Sequence, residues 1–338
     1  MDLLRRFLPD RFIMILVATL VVATLLPATG ALLVAIGWAS NAAIFTLFFL
    51  HGARLSPQAV AAGAKHWRLQ LAILGFSFAL FPLAMLAARA ALSGRLAPEI
   101  LLGLVFLGVL PTTVQSSIAY TSIARGNVAA SVIASAASNL LGVLLTPLLF
   151  ALLVGGAMGG VSLEAVGKVA LLLLLPFALG QLLRARVLPT VERHAKIAGM
   201  MDKLTIVLAV YVAFAQAASE GLWARIGAVT LVELAAVMAA VLLGAFAAAW
   251  GLGAALGLNP ADRATLLFAG AHKSLATGAP MARILFPPAV AGAAILPLLL
   301  YHQLQLMLSA WVATRLARED AEGHKSHDHP RGVRAPEG

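Results

Sequence analysis

Cysteine is absent from the 338 residues, which excludes disulfides and thiolate metal sites. Charge is almost as scarce. Asp, Glu, Lys and Arg make up 11% of the chain against 61% hydrophobic residues, far too little charge to cover a soluble protein of this size. There are 14 acidic residues, and none form a carboxylate pair within the apolar segments; a nucleotide-binding loop and a Ser/His/Asp arrangement are also missing. Enzyme chemistry therefore has no foothold in the sequence. The formal net charge is +10, but no nucleic-acid motif or aromatic platform accompanies it, so the basic excess reads as membrane topology plus contact with anionic lipid.

What fills the chain instead is sequence suited to hydrocarbon. Apolar runs of about 20 residues, the length that spans a bilayer, recur from one end to the other. They predict ten helices, near 12–26, 30–50, 67–90, 98–124, 127–153, 163–183, 201–219, 226–255, 261–286 and 289–314. The first run follows Arg5, Arg6 and Arg11, and a second begins almost at once, as in a polytopic chain rather than after a cleavable signal. Between the segments the longest connections, 51–66 and 184–200, are basic. Residues 316–338 are polar, rich in His, Gly and Pro, and are expected to form a disordered tail.

With both termini on the cytoplasmic side of a cell membrane, eighteen of the 24 Lys and Arg fall in cytoplasmic segments and four outside; the ninth segment holds Lys273 and Arg283. Ten spans divide into two sets of five, and an odd number per set makes the second enter from the opposite side. An inverted repeat is expected. The fourth and ninth segments, each the fourth in its set, are the ones interrupted by polar or helix-disrupting residues, and paired broken helices point to a transporter's binding site.

In the fourth segment, "LGVLPTTVQSSIAYTSIARGN", Pro111 removes a backbone donor and leaves carbonyls near residue 107 without partners. Thr112, Thr113, Gln115, Ser116 and Ser117 follow within six positions, more polar groups than a kink requires, although Ser and Thr that back-bond to a bent helix are a common alternative. In the fifth segment Ser131, Ser135, Ser138 and Asn139 form one helical stripe. Such a stripe serves close packing, but oxygen-only ligands also suit a hard cation, which makes Ser117, Thr121, Ser131 and Ser135 candidate sodium ligands.

These residues carry a family resemblance. "PTTVQSSIAYTSIARGNVAAS" followed by "TPLL" resembles the fourth and fifth helices of the bile acid:sodium symporter family, and "GAHKSLATGAPMA" is similar to the ninth helix of its SBF-like branch. The resemblance implies a core of helices 3–5 and 8–10, a panel of helices 1, 2, 6 and 7, broken helices 4 and 9 that cross near the bilayer midplane, and alternating access. It also implies two sodium ions beside the crossing in sodium-dependent members, with Ser117, Ser131 and Ser135 at matching positions. The ninth helix departs from that pattern: where those members have an acidic residue and a Gln-Asn pair, this chain has Ala271, His272, Lys273 and Ser274.

A lysine near the bilayer centre costs roughly 2.5–3.5 kcal/mol on insertion scales, so Lys273 needs a cavity, a route to the interface or a partner such as Glu233. Arg283 lies within a turn of the predicted helix end, where snorkelling is the simpler reading. His272 has no second metal ligand at suitable spacing and reads first as a hydrogen-bonded packing residue. The expectation is an all-α secondary transporter of an organic anion, possible sodium coupling included, whose substrate meets Thr112, Thr113, Gln115, Ser116, His272, Lys273 and Ser274. The rival from another class is a regulatory or lipid-interacting membrane protein that keeps the fold and transports nothing.

Overall fold

A computed structural model describes residues 11–54, 66–154, 163–219, 221 and 226–327, which form helices and no strand. In chain order these are α1 (Arg11–Leu25), α2 (Gly30–Arg54), α3 (Trp67–Ala91), α4 (Pro98–Val109), α5 (Gln115–Ile123) and α6 (Val128–Val154). They continue as α7 (Leu163–Leu182), α8 (Arg184–Arg193), α9 (Ala195–Ser219), α10 (Ala228–Ala255), α11 (Pro260–Ala271), α12 (Leu275–Leu285) and α13 (Pro288–His327).

Six helices among the described residues are long and apolar enough to cross a membrane: α2, α3, α6, α9, α10 and α13 as far as Glu319. Met14–Leu25, Pro98–Val109 and Leu173–Leu182 are apolar but shorter. The distribution of side chains is that of a protein solvated by lipid. Leu182 and Val229 are 79% and 81% exposed, while the interior holds Ser117, Thr121, Ser131, Ser135, Lys273 and Gln305 at 0%. Large apolar groups outside and polar groups sealed inside reverse the soluble pattern.

Two expectations need correction. The basic connection 184–200 is helical, as α8 and the first turns of α9, because Val187 and Val191 give "RARVLPTVER" an apolar side; Val191 is buried and Arg186, Glu192 and Arg193 are exposed. The polar tail expected from residue 316 continues α13 to His327. Arg315 Nε bonds Glu319 Oε1 at 2.9 Å, and this i,i+4 spacing supports helix where composition suggested disorder. Residues 328–338, with Arg331 and Arg334, lie outside the described residues, as do Arg5, Arg6, Lys65 and Arg225.

The helices pack in two groups. In one, α2 runs against α7 and α9, and α9 against α1; in the other, α4 packs on α3, α6 and α13, and α10 on α11 and α13. The groups meet where α9 lies on α12 and α13 and where α7 touches α6 and α12. The α2–α7 contact depends on glycine. A Cβ on Gly52 would strike the Phe177 carbonyl, and one on Gly180 would strike the Phe49 carbonyl, so each helix supplies a glycine at which the other's backbone comes close.

Gly180→Ala is therefore expected to lower the thermal midpoint of the purified protein, at the upper end of the ~1–3 kcal/mol typical of overpacking. Gly199→Ala, where a Cβ meets open space, should leave the midpoint unchanged or slightly higher. Equal midpoints for the two variants would refute the close contact.

Candidate functional site

The fourth segment is interrupted between Val109 and Gln115, and the ninth between Ala271 and Leu275. The breaks touch: the Ser274 N–H donates to the Pro111 carbonyl at 2.9 Å. Residues 110–113 and 272–274 are buried, so the polar groups freed there need partners within the protein.

At the first break three of the partners come from one helix. The Val109 carbonyl accepts from Thr146 Oγ1 at 2.8 Å, the Thr112 N–H donates to Ser138 Oγ at 3.1 Å, and the Thr112 carbonyl accepts from Asn139 Nδ2 at 2.9 Å. All three side chains lie on α6. Gly142, on the same helix, stands where a Cβ would meet the Pro111 ring at 2.8 Å, which lets α6 lie close along the break. The Gly108 and Leu110 carbonyls remain, and Lys273 Nζ, from the other break, donates to them at 2.9 and 2.8 Å.

The third carbonyl on Lys273 Nζ is that of Ser77, at 2.8 Å, with Ser77 Oγ at 3.2 Å. It is open because α3 passes through a π-helical turn at Phe76–Leu80, in which the Phe81 N–H reaches back five residues to Phe76. The next donor in that register is residue 82, a proline without an N–H. Three acceptor-only carbonyls take three N–H bonds, which is what the protonated amine supplies. The Phe81 ring covers the nitrogen, 4.3 Å from its centroid. Among the described residues no carboxylate takes part. The expected alternative partner, Glu233, instead pairs with Arg95 at 3.3 Å.

The second break is held from α13. Gln305 closes a two-bond clamp on the backbone of Lys273, its Oε1 accepting from the N–H at 2.9 Å and its Nε2 donating to the carbonyl at 3.1 Å. Tyr301 donates to the Ala271 carbonyl at 2.9 Å. Ser274 caps α12 by accepting from the Thr277 N–H at 3.2 Å, and Thr277 Oγ1 donates to Asn139 Oδ1 at 2.9 Å, so Asn139 ties both breaks to α6.

Two hydroxyl clusters flank the crossing. In one, Ser117 Oγ lies 3.1 and 3.3 Å from Ser131 Oγ and Ser135 Oγ, and Thr121 Oγ1 donates to Ser131 Oγ at 3.3 Å; all four are fully buried. This is a neutral donor set for a hard cation, without the carboxylate that strengthens such sites. In the other, His272 Nε2 pairs with Ser309 Oγ at 2.7 Å while Nδ1 lies 3.3 Å from Thr113 Oγ1 and 3.4 Å from Ser116 Oγ. The rings of Tyr120, Phe246 and Phe268 surround this imidazole. Among the described residues no three His, Cys, Asp or Glu side chains gather as a metal site.

The structure thus brings Thr112, Thr113, Ser116, His272, Lys273 and Ser274 to one crossing and sets Ser117, Thr121, Ser131 and Ser135 together nearby. Gln115 stands on an exposed face of α5. Thr112 Oγ1 is buried without a hydrogen bond. Sequence reasoning missed Ser77, Thr146, Thr277, Tyr301, Gln305 and Ser309. A signal for three of them was present: Tyr301, Gln305 and Ser309 recur every four residues along α13, one polar stripe in an apolar segment.

Lys273→Met should leave three carbonyls without donors, and at roughly 0.6–2 kcal/mol per hydrogen bond in membrane proteins the loss is about 2–6 kcal/mol. Gln305→Leu, which removes the clamp on the other side of the same residue, should cost a similar or somewhat smaller amount. Thermal unfolding in detergent measures both, and a Lys273→Met protein as stable as the wild type would contradict the assigned bonds.

The profile of the SBF-like CPA transporter family matches residues 10–318. An uncharacterized protein of Pseudomonas aeruginosa is 47% identical over 314 residues, 93% of this chain and 94% of its own. The candidate symporter YfeH of Escherichia coli K12 is 41% identical over 310 residues, 92% of this chain and 93% of its own. Sodium/bile acid cotransporter 7 of the mouse is 28% identical over 275 residues, 80% of this chain and 81% of its own. The match extends through both helix breaks and the hydroxyl clusters, and it is to proteins of transport rather than of catalysis: the chain belongs to the SBF-like CPA transporter family, as a multi-pass membrane transporter and not an enzyme.

Proposed function

We propose that this chain is a secondary active transporter of an organic anion that works by alternating access between two inverted halves of five segments each. The observation that carries the reading is the direct contact of two broken helices, one from each half, through Lys273 and Ser274. In this reading α3–α6 and α10–α13 form the core that holds the crossing, and α1, α2, α7 and α9 form the panel against which it moves. An amphipathic carboxylate or sulfate is the substrate class that suits a fixed positive charge and apolar walls, and two features of the comparisons favour it: the family's transport function and a bile acid cotransporter among the relatives.

The coupling ion is the point at which this chain departs from the pattern it resembles. Lys273 supplies a tethered cation among three carbonyls at the crossing, and a second cation within ~4 Å would be repelled by about 4 kcal/mol at an effective dielectric of 20. The cluster of Ser117, Thr121, Ser131 and Ser135 is the remaining candidate for a sodium ion. Net uptake of an amphipathic carboxylate into liposomes that contain the purified protein tests the reading, and absence of any protein-dependent flux favours the non-transporting alternative. Uptake should depend weakly on whether the outer salt is sodium or potassium; strict dependence on sodium that persists in Ser131→Ala, with the hydroxyl cluster broken, would overturn the role assigned to Lys273.

Both termini are assigned to the cytoplasm. Three contacts join positions that this topology sets on the same side: Arg54 with Asp202, Asn127 with Asp262, and Arg95 with Glu233. In a cysteine-free chain, Ser93→Cys should react with an impermeant thiol reagent in intact cells and Arg186→Cys only after permeabilisation, since both positions are exposed. The opposite labelling pattern would invert the topology.

A further inference from the structure

Arg283 lies in the last turn of α12, away from the crossing, and its surroundings do not fit a side chain that reaches for the interface. Its guanidinium turns inward to α2, where Nη2 donates to the Gly37 carbonyl at 3.1 Å. The other terminal nitrogen, Nη1, is buried and has no hydrogen-bond partner. Among the described residues no carboxylate pairs with it. A snorkelling arginine keeps its head in water; this half-buried one turns a permanently charged, forked donor toward α2 and leaves part of its fork buried and unused. The last turn of a helix favours a cation, but that accounts for the position along α12 and not for the inward turn.

The guanidinium faces an open cleft of about 260 Å³ between α2, α9 and α12, whose outer edge is formed by the exposed Val34, Trp38 and Asn41. Leu33, Val34 and Trp38 of α2 make its apolar wall; Asn41 and Gln216, from α2 and α9, add neutral amides beside Arg283. The close approach of Arg283 to α2 occurs at a glycine, where an added Cβ would stand 3.5 Å from Nη2. The cleft lies between the two helix groups, with α2 and α9 on one side and α12 on the other.

We infer that this cleft is a binding site for the head group of an amphipathic monocarboxylate, with Arg283 as the residue that recognises the charge. A guanidinium with an open Nη1 matches a carboxylate geometrically, and amide side chains beside it take the remaining lone pairs. Small-molecule sites usually measure ~300–1,000 Å³, so this one holds a head group and a short apolar body rather than a whole large amphiphile. The inference rests on the organic-anion reading above and places recognition of the charge at Arg283, because the Lys273 nitrogen is already filled by backbone carbonyls.

The probe is 4-phenylbutyrate, with its uncharged primary amide as control, titrated against the full-length protein in nanodiscs. The wild type should bind the carboxylate at least about tenfold more tightly than the amide. Arg283→Gln should lose that preference, Arg283→Lys should recover part of it as a point charge without the fork, and amide binding should change little in either. Gln216→Trp, which fills the cleft and keeps the arginine, should block both ligands; it decides the matter if Arg283→Gln does not fold. A wild type that prefers the carboxylate, together with an Arg283→Gln or Gln216→Trp protein that does so equally, overturns the site and leaves the transport reading standing. A wild type without any preference for the carboxylate removes the organic-anion reading and this inference with it.

Discussion

Everything at the centre of this protein depends on how open backbone is kept satisfied without water. Two helices stop in mid-course, and each stop releases carbonyl and amide groups into an environment where an unpaired one costs several kcal/mol. Lys273 meets the largest share of that demand. Placing its ammonium inside costs roughly 2.5–3.5 kcal/mol, whereas the three bonds that the nitrogen makes to carbonyls, at roughly 0.6–2 kcal/mol each in a membrane protein, return about 2–6 kcal/mol. At the midpoints of these ranges the balance favours burial. A lysine that looked anomalous in an apolar segment is what allows α3, α4 and the ninth segment to share one point.

The remaining bonds form a frame around that point. Asn139 and its neighbours on α6 hold the first break, Gln305 and Tyr301 on α13 hold the second, and Ser274 joins the two. All of these elements belong to one of the two packing groups. The other group, α1, α2, α7 and α9, contributes none of these bonds and meets the first chiefly along α9. Such a division suits a mechanism in which a rigid crossing moves against a separate layer, because the polar network need not be broken for the layers to shift.

Much of this was legible in the sequence. Pro111 with the polar run behind it, and the Gly and Pro residues around His272 and Lys273, marked both breaks to within a residue or two. The helical stripe of Ser131, Ser135, Ser138 and Asn139 pointed to the surface of α6 that faces the first break. What the sequence did not disclose was direction. Nothing in the string "AHKS" says that His272 turns to Ser309 while Lys273 turns to Ser77, because adjacent residues in extended backbone point to opposite sides only once the break has been placed in three dimensions. Ser77 was out of reach for a related reason: its free carbonyl follows from a π-helical turn whose register against Pro82 no propensity reveals. Arg283 was read from its nearness to a helix end, and only packing against Gly37 shows that the guanidinium faces inward. The helical continuation to His327 was missed because composition weighed against it, while a local Arg315–Glu319 pair favoured it.

If Lys273 stands in for a coupling cation, as proposed above, its ammonium and not an ion lies among the Ser77, Gly108 and Leu110 carbonyls. Experimental density maps at side-chain resolution, from protein prepared in sodium and in potassium, test it directly. The same continuous lysine density is expected in both, with Nζ in contact with the three carbonyls. A lysine turned elsewhere in the sodium map, with a separate ion between those carbonyls, would contradict it.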